Sequence, residues 1–196
     1  MSSTAAIARA VSLLAHPLPV VMLALLMLLH RHAAAPSMLW SAAGISLLLG
    51  GSMIALSRQR VRQGRWQHVD ASRPDERRQL NRWLLMLFSL GTAASAIGSA
   101  WLAAGVFAGA TLIVLLAIVL QRWGKTSLHM AFAVYAAVLL QPGTPLAIAL
   151  ALAGLSAVGW SRLRLRRHTP IDLLLGIGSG VLAGACGHWL PTAAGG

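Results

Sequence analysis

The feature that most constrains this chain is the length of its uncharged stretches. Residues 83–121 form 39 consecutive positions without Asp, Glu, Lys or Arg, and residues 126–161 form another 36. A helix needs roughly 20 apolar residues to cross about 30 Å of hydrocarbon, so each run is long enough for two crossings. Composition agrees. Charged residues are 10% of the 196, hydrophobic residues 57% and mean hydropathy is +0.72, whereas a soluble domain carries about 25% charged residues. A soluble fold could not cover its surface with so few charges, and a disordered chain would be polar. The expected fold class is all-α: a single integral membrane domain spanning 1–196, a polytopic transmembrane helical bundle of six to seven crossings.

The expected crossings are 11–30, 38–57, two arms of 83–121 folded near Ala103–Gly105, two arms of 126–161 broken at Gln141-Pro142-Gly143 and Pro145, and 171–190. Proline and glycine in succession make the 141–143 break a turn. Residues 58–82 are the only sizeable polar segment and are expected to be a loop. A second reading of the N-terminus exists. An apolar core at 20–29 followed by Ala33-Ala34-Ala35 has the outline of a cleavable signal peptide, although the leader before it is long and holds one charge, Arg9. Cleavage would leave six crossings.

Charge sets the orientation. With seven helices, the N-terminus and the stretches 58–82, 122–127 and 161–170 share a face carrying fifteen of the sixteen basic residues, with Arg31 alone opposite. Trp66, Trp83, Trp123 and Trp160 fall at the basic face, and Trp40, Trp101 and Trp189 at the other, as residues that favour interfaces should. The positive-inside rule makes the basic face cytoplasmic and the protein a multi-pass protein of the cell (inner) membrane. A net charge of +12 in a soluble chain would point to nucleic acid. Here the arginines flank apolar runs, so membrane lipids and phosphorylated headgroups, not nucleic acid, are the expected partners. Arginine's planar fork suits phosphate. The single cysteine, Cys186, allows no intrachain disulfide. Gly176-Ile177-Gly178-Ser179-Gly180 lies mid-helix and reads as close helix packing by small residues.

Chemistry concentrates in the basic stretches. The third contains Ser161-Arg162, His168 and Asp172, spaced S-R-x5-H-x3-D. An acid at the start of an apolar helix reads by default as functional. It also has a bland reading, because Thr169, Pro170 and Asp172 fit N-cap, N1 and N3 of a capping box. The second stretch contains Lys125-Thr126-Ser127-Leu128-His129, and the first contains Asp70, Arg73-Pro74 and Arg77. Without their neighbours these would be an N-cap beside an interfacial histidine and a solvated charged loop.

Taken together, the three stretches resemble the type 2 phosphatidic-acid phosphatase family of membrane lipid phosphatases over roughly residues 58–185. The third motif matches. In the second, Ser127 and His129 match P-S-G-H while Thr126 and Leu128 depart; in the first, Arg73-Pro74 matches but Trp66 stands where a lysine is expected. The resemblance implies hydrolysis of a lipid phosphomonoester or diphosphate, isoprenoid or glycerolipid, through a phosphohistidine. His168 would be the nucleophile, Asp172 its orienting carboxylate and His129 the general acid. Arg162, Ser127, Lys125, Arg73 and Arg77 would bind phosphate. The scheme requires no cofactor and no metal, and four acids are too few for a two-metal site. The contrasting expectation, motivated by Trp66 and Leu128, is a catalytically degenerate relative, or a small transporter or scaffold, that binds phosphorylated headgroups.

Overall fold

The computed structural model of the chain describes residues 3–32, 34–66, 73–141 and 143–193. Within them the fold is all-helical: α1 Ser3–Leu14, α2 Pro17–Arg31, α3 Pro36–Arg62, α4 Pro74–Ile97, α5 Trp101–Val119, a 3-10 turn Leu120–Arg122, α6 Leu128–Leu140, α7 Pro145–Arg164 and α8 Pro170–Ala193. Proline opens six of these helices (α2, α3, α4, α7 and α8 directly at N1, and α2 again at Pro19 in its first turn counts with Pro17 as one start), where its missing N–H costs nothing and its fixed φ suits a helix.

 Counted by chain position, six prolines thus serve five helix starts.

Among the described residues, α3, α4, α5 with the turn after it, α7 and α8 are long and apolar enough to cross a membrane, and α1 with α2 makes a sixth candidate if that bent pair is one span. The expected seventh crossing is not of this kind. At 13 residues, α6 spans about 20 Å at about 1.5 Å per residue, short of the hydrocarbon thickness. It lies inside the bundle against α8, α2, α7 and α5, with Ala131, Phe132 and Tyr135 fully buried. Its apolar character therefore reflects protein packing on all sides, which hydropathy alone does not separate from lipid exposure.

Three other expectations need correction. The turn within 83–121 falls at Gly98-Ser99-Ala100, with Ser99 at φ 55°, while Ala103 and Gly105 are buried in α5. Small residues at 103–105 mark a close helix contact there, not a bend. The segment 58–82 is mostly helical, since α3 runs on to Arg62 and α4 begins at Pro74. Polar composition marks where these helices leave the apolar layer, and the Arg73 N–H donating to Glu76 Oε2 at 3.1 Å secures the start of α4. Finally, 11–30 is not one straight helix. α1 and α2 meet at 50°, because Pro17 has no N–H to continue the ladder.

The core joins α2, α4, α5, α6 and α8 through residues such as Leu25, Phe88, Ile113, Phe132 and Ala183. Tyr135 crosses it and donates to the Val106 carbonyl at 2.8 Å. α8 lies so close to α6 that a Cβ on Gly176 would stand 2.8 Å from the Ser127 carbonyl, and one on Gly180 2.4 Å from the Ala131 carbonyl. The small-residue reading of this stretch is thus the correct one for Gly176 and Gly180. α3 is different: it packs on α2, and side chains such as Leu47 remain 77% exposed.

Candidate active site

The up-and-down order of the helices brings the starts of α2, α4, α6 and α8 to one end of the bundle, with the last turn of α7 among them. A helix start carries partial positive charge and unpaired N–H groups, so this end favours an anion before any side chain is considered. A cavity of about 490 Å³ opens there. One part of its wall is cationic or imidazole-bearing, with Arg77, Lys125, Arg162, His129 and His168; another is apolar, with Met53, Ile54, Leu80, Leu84 and Leu128.

His168 stands in the short α7–α8 connection, its side chain only 6% exposed. Its Nδ1 is 3.2 Å from the Lys125 carbonyl and 3.6 Å from Asp172 Oδ2. The nearer acceptor is therefore a backbone carbonyl, and the carboxylate stands just beyond hydrogen-bond range. Both acceptors favour a proton on Nδ1, which leaves Nε2 as the nucleophilic nitrogen. Burial, with Arg162 and Lys125 adding their charge, holds His168 down to about 4, against the opposing pull of Asp172. Neutral imidazole is the form a nucleophile needs.

Asp172 ties the second and third motifs together. Oδ1 accepts from the Lys125 N–H at 2.7 Å and Oδ2 from the Thr169 N–H at 2.8 Å. The Asp172 N–H returns to Thr169 Oγ1 at 3.3 Å, completing the capping box. The Asp172 carbonyl accepts from the Ser127 N–H at 3.0 Å. The carboxylate thus caps α8 and, through Lys125, fixes the carbonyl that orients His168. The capping role and the orienting role are one arrangement.

Lys125 is positioned by three contacts, the third being its Nζ donating to the Arg167 carbonyl at 3.0 Å. Burial, then the neighbouring Arg77, lowers its pKa, which Asp172 opposes. Arg162 is buried on the cavity wall, with Nη1 donating to Ser12 Oγ at 2.5 Å. His129, on the first turn of α6, packs edge-on against His16, with ring centroids 5.5 Å apart and planes at 84°.

The structure brings His168, Asp172, His129, Arg162, Lys125 and Arg77 together. It does not bring two other residues to the cavity. Arg73 pairs with Asp75 at 3.4 Å, both more than half exposed; Arg77, one helical turn on, takes the wall position. Ser127 is fully buried, and its Oγ accepts from the Met130 N–H at 3.5 Å as the N-cap of α6. Its neighbour Thr126 lines the cavity instead, with a buried Oγ1 that has no hydrogen-bond partner. Asp70 lies outside the described residues. Trp66 is buried and donates to Gln79 Oε1 at 3.4 Å, a packing residue where a cation was sought.

Sequence reasoning missed Thr126, Arg167 and His16. The first two stood beside residues already chosen. His16 belongs to a different part of the chain, and its only signal was the pair of prolines beside it in an apolar run. Among the described residues no group of three or more His, Cys, Asp or Glu is placed to hold a metal ion. No family model, no curated protein and no solved structure matches this chain.

Proposed function

We propose that the chain is a multi-pass membrane phosphatase that hydrolyses a lipid phosphate through a phosphohistidine. The observation that carries the reading is the setting of His168: a buried, neutral imidazole on the wall of a cationic cavity, with Nδ1 directed to backbone and carboxylate acceptors. That arrangement activates a nucleophile more specifically than it stabilises a helix end.

In the proposed reaction, the phosphate of the lipid enters between Arg162, Lys125 and Arg77, and Thr126 supplies the neutral donor expected of Ser127. His168 Nε2 forms a bond to phosphorus as the bond from phosphorus to the lipid oxygen breaks. The leaving oxygen takes a proton from His129. Water then attacks the phosphohistidine, with His129 accepting its proton, and phosphate leaves. Charge develops on the phosphoryl oxygens in both steps, where the guanidinium groups and helix starts offset it. The apolar wall accounts for a lipid: the phosphate stays among cations while the tail lies along α3 and α4. We further propose that the cavity faces the cytoplasm, on the strength of the fifteen basic residues at that end.

The test is phosphate release by purified protein in detergent, across isoprenyl phosphates, isoprenyl diphosphates, phosphatidic acid and phosphatidylglycerol phosphate, beside His168→Ala. Release that disappears in the variant supports the reading, and release that survives refutes it. Binding of the same lipids without release would favour the non-catalytic headgroup binder, for which Leu128 on the cavity wall at the expected glycine position is the specific observation.

A further inference from the structure

The break between α1 and α2 touches two site residues at once, and its geometry follows from one missing N–H. In an unbroken helix residue 17 would donate to Leu13 and residue 16 to Ser12. Pro17 cannot donate. The His16 N–H turns to the Leu13 carbonyl at 3.2 Å, which releases the Ser12 carbonyl from the helix ladder. The Ser12 backbone is then hydrogen-bonded by the His129 ring. His129 Nε2 is buried and has no hydrogen-bond partner, so the bond to Ser12 belongs to Nδ1. The edge of His16 fixes the plane of the same ring, and Ser12 Oγ accepts from Arg162.

From this we propose that the α1–α2 break is a positioning element of the site: the Ser12 carbonyl and the His16 ring hold His129 with its proton on Nδ1 and present Nε2 to the cavity. The Ser12 carbonyl does for His129 what the Lys125 carbonyl does for His168. Two imidazoles, from different motifs, are both held by backbone carbonyls on the far side from the ligand. Neither Ser12 nor His16 meets the substrate in this scheme; both act through His129 and Arg162. The role of His129 as the acid rests on the phosphatase reading, whereas its ring state does not.

The experiment is nitrogen NMR of ring-labelled histidine in the full-length protein in detergent, near neutral pH, with the His129 signals assigned by His129→Gln. The expected result is the Nδ1–H form, the minority form of free imidazole side chains in water. A wild-type His129 in the Nε2–H form overturns the proposal, and this needs neither a variant nor any activity. Kinetics form the second arm. His16→Ala is expected to lower kcat about tenfold, as for a partner that orients a reacting group, with KM within about twofold, and His16→Phe is expected to restore it. Wild-type kcat in His16→Ala would overturn the part assigned to His16. If wild-type protein releases no phosphate from any lipid, the phosphatase reading fails, and the NMR result still decides how His129 is held.

Discussion

Placing an alanine at Gly180 tests whether the α6–α8 contact holds the site together. The added Cβ would lie 2.4 Å from the Ala131 carbonyl and 2.8 Å from Val134 Cβ, so the two helices must separate. Gly178, on the exposed side of α8, has nothing within 4 Å of a Cβ and serves as the control. Both substitutions gain the same helix propensity, about 1 kcal/mol, so their difference isolates the clash. Overpacking of this kind costs about 1–3 kcal/mol, and for 150–250 residues 1 kcal/mol moves Tm by about 2–4 °C. Gly180→Ala should therefore melt roughly 2–12 °C below Gly178→Ala in the same detergent. The separation should also loosen the Ser127 N–H to Asp172 carbonyl bond and lower kcat with it. Equal melting of the two variants would refute the close-contact argument.

Asp172→Asn keeps one acceptor oxygen for two backbone donors, Lys125 N–H and Thr169 N–H. It should cost about 1 kcal/mol of stability and lower kcat roughly 10- to 100-fold, read by thermal unfolding and phosphate release. Arg162→Lys loses the planar fork and should raise KM and lower kcat together, whereas Arg73→Lys should leave both unchanged because Arg73 faces Asp75 away from the cavity. With His168 held down to about 4, the acid limb of its kcat/KM profile should fall near that value, not near the ordinary 6.5. The same depression bears on stability. An unfolded-state histidine takes up a proton below about 6.5 while the folded one resists until about 4, so the contribution of His168 is complete above that window and lost as pH falls through it. Titrating Tm between pH 7 and 4, wild type against His168→Gln, checks the sign. A reporter fused to the C-terminal end should report the side opposite the cavity, outside the cell, because α8 runs away from that end; a cytoplasmic reading would reverse the proposed orientation.

Much of the site was legible in residue type and spacing. His168 and Asp172 fall i and i+4 around a helix start, and Arg162 precedes them on the adjoining helix, so local geometry alone brings them near one another. The face they share with Lys125 and His129 was legible from charge, because arginines gather where helices leave an apolar layer. Less legible was the division of labour between neighbours. Ser127 and Thr126 are chemically alike, and only the entry angle of α6 turns one inward as a cap and leaves the other on the wall. Arg73 and Arg77 differ by one turn of α4, and their roles follow from where that helix begins.

The same division holds for the whole fold. The uncharged runs, the prolines at helix starts and the lopsided charge determine by themselves that this chain is a set of apolar helices with one basic end, since these are properties of each segment against its solvent. What surrounds a segment is decided only by the other segments. That α6 is wrapped by protein, that α8 touches it through glycines and that a break at Pro17 frees a carbonyl for a histidine more than a hundred positions away all depend on distances between helices. Periodicity along one chain carries no information about such distances.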